Sequence, residues 1–183
     1  EVAKYATCLG RLARRRRMTI HCIAGDFSED AVHVLNPEWD RHVVPDANGW
    51  SKWSEGRWFQ RLFHEDMPEG SDESDELAVE IWRQAVRMSH DLAAIIEKGG
   101  IDLLFPINVN SNPGNPALAL AVVLVSEALQ IPVVNSNHDF YWEDGAPASD
   151  RPPGEEPGPR DHFFRNRDNR DFFRFLERVH PWK

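Results

Sequence analysis

The sequence predicts an α/β protein in which a parallel sheet carries helices on both faces. Segments with apolar residues spaced three and four apart alternate along the chain with short, uninterrupted apolar runs, and 41% of the residues are hydrophobic. This alternation is typical of right-handed crossovers onto a parallel sheet. The predicted helices span residues 2–16, 76–98 and 115–129, and the predicted strands, which we expect to be neighbours in the sheet, span 19–24, 101–105 and 131–135.

The first helix is predicted from Tyr5, Leu9 and Leu12, which share one face. Its last turn carries the basic run 14–17, where cations suit the negative end of the helix dipole. This run favours a solvated helix end, and a patch that binds lipid headgroups remains the alternative. The segment MTIHCIAG that follows predicts a short buried strand.

Residues 26–75 have the least regular pattern and are interpreted as an elaborated insertion. Within them, VHVL (32–35) fits a short strand, and the acidic run at 69–76 predicts a solvated loop that leads into the next helix. Four tryptophans either form a platform that stacks on a sugar or fasten a long loop to the domain. They are Trp39, Trp50, Trp53 and Trp58.

The second helix is predicted to be capped by Ser74 or Asp75 and to be ended by Gly99 and Gly100. A buried strand, IDLLFPINV, follows it. The third helix, ALALAVVLVSEALQ, is apolar on almost every side and is therefore predicted to be buried. The strand IPVVNSNHDF comes next, and its carboxyl end is polar.

Composition excludes several classes of protein. The net charge of −9 argues against a general binder of nucleic-acid backbones, which needs a surplus of Lys and Arg. Cys8 and Cys22 are the only cysteines, which excludes a disulfide framework and a cysteine zinc site; both are predicted to be small buried hydrophobes. The sequence has no apolar stretch of the roughly 20 residues that cross a bilayer and does not open on a signal peptide, so we expect a cytoplasmic protein.

Polar clusters follow the last two predicted strands. Ligands of open parallel sheets bind beyond the carboxyl ends of the strands, and asparagine amides suit hydroxyl-rich ligands. Turn chemistry is the competing explanation for the first cluster, because Asn also punctuates tight loops. The first cluster comprises Asn108, Asn110, Asn112 and Asn115, and the second comprises Asn135, Asn137, His138 and Asp139.

The segment HDFYWE (138–143) resembles the N-terminal half of retaining glycosyltransferases of the family 4 type, which have the GT-B fold. The likeness covers about half of the chain. It includes the opening helix and the segments TIHCIAG, IDLLFPINVNSNPGNPALALAVV and IPVVNSNHDFYWE. It implies a Rossmann-like N-terminal domain over residues 1–142, with the family's first strand and glycine-rich loop missing. A Pro/Gly-rich loop is predicted at 143–162, which we expect to be mobile, and a C-terminal docking helix at 163–183.

The resemblance also implies a function. The domain would position an acceptor hydroxyl compound, while a second Rossmann-like domain of the same protein would hold the nucleotide-sugar donor, so the 183-residue chain alone is not expected to turn over. The resemblance places His138 next to the transferred sugar as the catalytic residue. The predicted substrate-binding residues are Asp139, Asn108, Asn110, Asn112 and Asn137. The chemistry requires no metal or cofactor.

Two other functions are alternatives to glycosyl transfer. The pair His-Asp occurs at 90–91 and 138–139, as in metal-dependent phosphohydrolases, but those enzymes are all-helical whereas His138 follows a predicted strand. The other rival is a non-catalytic α/β module that binds a sugar or a protein partner. A second domain in the full-length gene would distinguish it from a transferase.

Overall fold

The computed structural model describes residues 2–49, 71–110 and 114–137 as a mixed α/β structure with parallel strands. Residues 143–162 and 163–183, for which we predicted a loop and a helix, lie outside the described residues, as do Trp50, Trp53 and Trp58. The described elements are, in chain order, α1 (Val2–Arg16), β1 (His21–Ala24), α2 (Ala31–Val34), β2 (Asp40–Val43), α3 (Asp72–Gly99) and α4 (Pro116–Leu129).

The helix α3 starts four residues earlier than predicted. Ser71 is its N-cap, and the Ser71 hydroxyl accepts a hydrogen bond from the backbone N–H of Ser74 at 3.3 Å. The prediction that Ser74 or Asp75 would cap the helix is therefore wrong. The acidic run does lead into the helix, but its residues 72–76 belong to the helix and not to a loop. The acidic residues form the first turn, where carboxylates interact favourably with the helix dipole. The helix ends as predicted, with Gly100 in the left-handed conformation (φ 58°).

The helix α4 forms the buried centre of the fold, as its composition predicted. Asn115 is its N-cap and Pro116 stands at its first position, where a missing N–H costs nothing. The helix packs against the apolar face of α3. The α3 residues that form this face recur at spacings of three and four: Leu77, Ile81, Ala85, Met88, Leu92 and Ile96.

The strands form two parallel pairs. β1 pairs with β2 in the register His21 to Asp40, and isolated parallel bridges join Leu104 to Val133 and Ile107 to Ser136. The predicted strands near 101–105 and 131–135 are therefore parallel neighbours, as expected. The partner of the first predicted strand, 19–24, differs from the prediction. This strand, β1, pairs with β2, which lies inside the segment interpreted as an irregular insertion. The segment VHVL, predicted as a strand, instead contributes to the four-residue helix α2.

Helices cover both faces of the second strand pair. Leu104 and Val133 pack into the core formed by α3 and α4. Successive strand residues point to opposite faces, and the next residue, Phe105, packs edge-on against Tyr5 of α1 with ring centroids 5.7 Å apart. α1 therefore lies on the face opposite to α3 and α4.

The surroundings of α1 settle two further predictions. Trp39 is buried and lies beside Gly10 of α1, where an added Cβ would stand 3.4 Å from the indole ring. This tryptophan therefore fastens the chain before β2 to the domain, as the structural alternative predicted. Cys8, predicted to be buried, is exposed on α1, whereas Cys22 is half-buried in β1. Both thiols are free.

Candidate functional site at the carboxyl edge of the strands

The candidate site lies where the second strand pair ends. The backbone N–H of Asn108 donates to the carbonyl of Ser136 at 2.9 Å, so Asn108 and Asn137 each directly follow the same paired position. Asn108 adopts the left-handed conformation (φ 56°), which asparagine tolerates better than most residues and which turns the chain away from the strand direction. The pairing thus brings one residue from each predicted polar cluster to one edge.

The side chain of Asn137 is partly buried. Its side-chain oxygen Oδ1 is buried and has no hydrogen-bond partner among the described residues. A buried amide oxygen without a partner costs about 1–3 kcal/mol of stability. A ligand hydroxyl or N–H that donates to this oxygen would recover that free energy.

Asn110 has a role inside the fold. Its side chain is 1% exposed and its Nδ2 donates to the carbonyl of Ala119 in α4 at 3.1 Å. The amide thus holds the loop after Asn108 to the buried helix. Its assignment as a substrate contact stays a prediction, and Asn112, His138 and Asp139 lie outside the described residues.

Asn115 connects the loop after β2 to the start of α4. Its Oδ1 accepts from the backbone N–H of Leu118 at 3.1 Å, while its Nδ2 donates to the carbonyls of Asp46 at 2.8 Å and Asn48 at 3.0 Å. One buried amide therefore caps the helix and fixes the loop that follows the other strand pair. This is the structural role that turn chemistry predicted for the asparagines of this segment.

Gly25 brings the loop after β1 to the same edge. A Cβ at this position would lie 2.6 Å from the backbone of Ala47 and Asn48, so only glycine allows the two loops to approach this closely. On the opposite face of the sheet, the Ser136 hydroxyl donates to the Tyr5 hydroxyl at 2.6 Å. Sequence reasoning missed both contacts, and the only signal for Tyr5 was its place on the inward face of α1.

A second polar cluster lies at the opposite edge, where β1 and β2 begin. His21 Nδ1 is 3.1 Å from His42 Nε2 and 3.4 Å from the carboxylate of Asp40, and the two imidazole rings are stacked. Sequence reasoning missed this cluster because it depends on the unpredicted pairing of β2 with β1. Within the described ranges, no group of three or more His, Cys, Asp or Glu side chains is arranged to hold a metal ion.

Cys22 lies on the other face of β1. Burial raises the pKa of the Cys22 thiol, and the guanidinium of Arg41 on β2 opposes this shift. The thiol is therefore protonated at neutral pH, which makes it a poor nucleophile.

Comparisons with known proteins identify no relative: no protein-family model matches the chain, and no curated protein or solved structure is significantly similar to it. No helix in the described parts of the chain is both long and apolar enough to span a bilayer.

Proposed function

We propose that this chain is the acceptor-side, Rossmann-like domain of a retaining glycosyltransferase of the family 4 type. One observation carries the proposal: Asn108 and Asn137 follow a paired position at the carboxyl edge of parallel strands, and Asn137 Oδ1 is buried without a hydrogen-bond partner among the described residues. Ligands of parallel α/β sheets bind at this edge. The sequence resemblance of residues 138–143 supplies the reaction class.

The proposed chemistry divides between two domains. Asparagine amides donate to and accept from the hydroxyls of a neutral, hydroxyl-rich acceptor and hold it in one orientation. His138, which directly follows Asn137 in the chain, hydrogen-bonds the transferred sugar, and Asp139 orients the imidazole. A second Rossmann-like domain supplies the groups that stabilise the leaving nucleoside diphosphate, and no metal is needed. A cytoplasmic location is part of the same proposal.

The decisive test is a transfer assay on the full-length protein with a second domain beyond Lys183. Release of nucleoside diphosphate from a panel of nucleotide sugars identifies the donor. His138→Ala should then lower kcat/KM about 100-fold or more, which is typical for loss of a group at the reaction centre. The matched control is His33→Ala, an exposed histidine on α2, which should leave kcat/KM unchanged. Equal kinetics for both variants would remove His138 from the mechanism.

A binding experiment separates this proposal from the non-catalytic alternative. Titration calorimetry of the 183-residue chain with uridine and guanosine diphosphate sugars should show weak binding and no turnover, because the diphosphate contacts would come from the second domain. Micromolar or tighter binding without transfer in any longer form of the protein would favour a self-contained sugar-binding module.

A further inference from the structure

The carboxyl-terminal end of α1 carries a dense cationic surface. Five of the seven residues from 11 to 17 are arginines, in a protein of net charge −9. Every residue from 11 to 18 except Ala13 is exposed. We call this surface the basic end of α1; it consists of Arg11, Leu12, Arg14, Arg15, Arg16, Arg17 and Met18.

The charges of this surface are not neutralised within the described parts of the chain. None of its five arginines forms an ion pair with a described residue, although Arg14 Nε donates to the carbonyl of Gly10 at 3.2 Å. Arginines elsewhere do have acidic neighbours: Arg83 and Arg87 of α3 each lie 3.9 Å from a carboxylate. The basic end of α1 therefore presents its positive charge to the surroundings of the protein.

The helix dipole explains only part of this cluster. Cations in the last turn of a helix stabilise it, which accounts for Arg14, Arg15 and Arg16. Arg17 lies beyond the helix in the left-handed conformation (φ 53°), and the N–H of Met18 closes the turn on the carbonyl of Ala13 at 3.1 Å. Glycine fits that position better than any residue with a Cβ. Arginine at position 17 therefore costs stability and adds an exposed charge.

Two large apolar side chains lie among the arginines. Leu12 stands between Arg11 and Arg14 in the chain and Met18 directly follows Arg17; each is 44% exposed. A bilayer surface offers anionic headgroups to the guanidinium groups and an apolar boundary, a few ångströms deeper, to the side chains of Leu12 and Met18. Nucleic-acid surfaces also attract arginine, but their phosphate backbones offer these two side chains no apolar contact.

We propose that the basic end of α1 docks the protein on an anionic lipid bilayer. The other end of α1 contacts the carboxyl edge of the sheet through the hydrogen bond between Tyr5 and Ser136. Eleven residues of helix, a rise of about 16 Å, separate Tyr5 from Arg16. Docking through the basic end would thus leave the candidate ligand site at the carboxyl edge uncovered.

Vesicle co-sedimentation tests the proposal. The protein should bind phosphatidylcholine vesicles that contain about 30% phosphatidylserine, should not bind pure phosphatidylcholine vesicles, and should be released as salt screens the charges. Each arginine near such a surface contributes about five-fold to partitioning, so the double variant R15Q/R16Q should bind about 30-fold more weakly. The matched control is R83Q/R87Q, which removes the same charge from α3 and should bind within two-fold of the wild type.

Two single variants separate docking from stability. Arg17→Gly should unfold at the same or a higher urea concentration than the wild type and still bind vesicles about five-fold more weakly. Leu12→Ser should weaken binding several-fold while the net charge is unchanged. Three results would overturn the proposal. They are equal binding to neutral and anionic vesicles, equal losses of binding in the two double variants, and tighter binding to RNA than to vesicles through the same arginines.

Discussion

Asn115 offers the sharpest test of how the candidate edge is held together. Its side chain is 4% exposed and makes three hydrogen bonds: one caps α4, and two hold the loop after β2. Loss of an N-cap costs about 1 kcal/mol, and each lost hydrogen bond to a partly buried carbonyl costs about the same. Asn115→Ala should therefore lower the free energy of unfolding by about 3 kcal/mol.

Asn115→Asp divides this loss into its parts. Aspartate still caps the helix but cannot donate, and it turns a carboxylate oxygen toward the carbonyls of Asp46 and Asn48. We expect it to be at least as destabilising as alanine, although aspartate is as good an N-cap as asparagine. Urea unfolding followed by circular dichroism measures both values. Asn36→Ala is the control, because that side chain makes one exposed hydrogen bond and should change stability by less than about 0.5 kcal/mol.

An Asn115→Asp variant as stable as the wild type would contradict this assignment of the three hydrogen bonds. That result would mean that the helix cap accounts for the whole effect and that the bonds to the loop contribute nothing. A loss below about 1 kcal/mol in Asn115→Ala would contradict it as well.

The remaining predictions concern the core, the loop contact and the half-buried thiol of Cys22. The Met88 side chain is 1% exposed, so Met88→Ala should lower the free energy of unfolding by about 2–5 kcal/mol. Val79 lies on the same helix but is 47% exposed, so Val79→Ala should change it by under about 0.5 kcal/mol. Equal losses in the two variants would contradict the assignment of the core. Gly25→Ala should cost about 1–3 kcal/mol, because its Cβ would lie 2.6 Å from the backbone of the loop after β2, and an unchanged urea midpoint would contradict that close approach. The raised pKa of Cys22 means that the folded protein holds the thiol proton more tightly than the unfolded chain does. The contribution of this thiol to stability is therefore complete below about pH 8.5 and is lost as the pH rises further. In a Cys8→Ser background, alkylation by iodoacetamide should therefore begin at a higher pH in the folded protein than in urea, and identical pH profiles would show that Cys22 is not buried.

The long helices were predictable from the sequence, and the strand partners were only partly so. Apolar spacing identified α1 to its last residue, because the spacing that forms a helix is local in the chain. The pairing of β1 with β2 brings His21 beside Asp40, and no local pattern in DRHV predicts it. VHVL is apolar enough for a strand but forms part of α2, because tertiary context overrides propensity in so short a segment.

Local sequence patterns were enough to predict an α/β fold, a buried α4, and asparagines at the carboxyl ends of two strands. Only the tertiary structure distinguished these asparagines from one another. Asn110 and Asn115 use their amides to hold α4 and the loop after β2, whereas Asn137 keeps a buried oxygen without a partner among the described residues. The physical reason is that an amide side chain has the same donors and acceptor everywhere, and only its three-dimensional neighbours decide whether the fold or a ligand satisfies them.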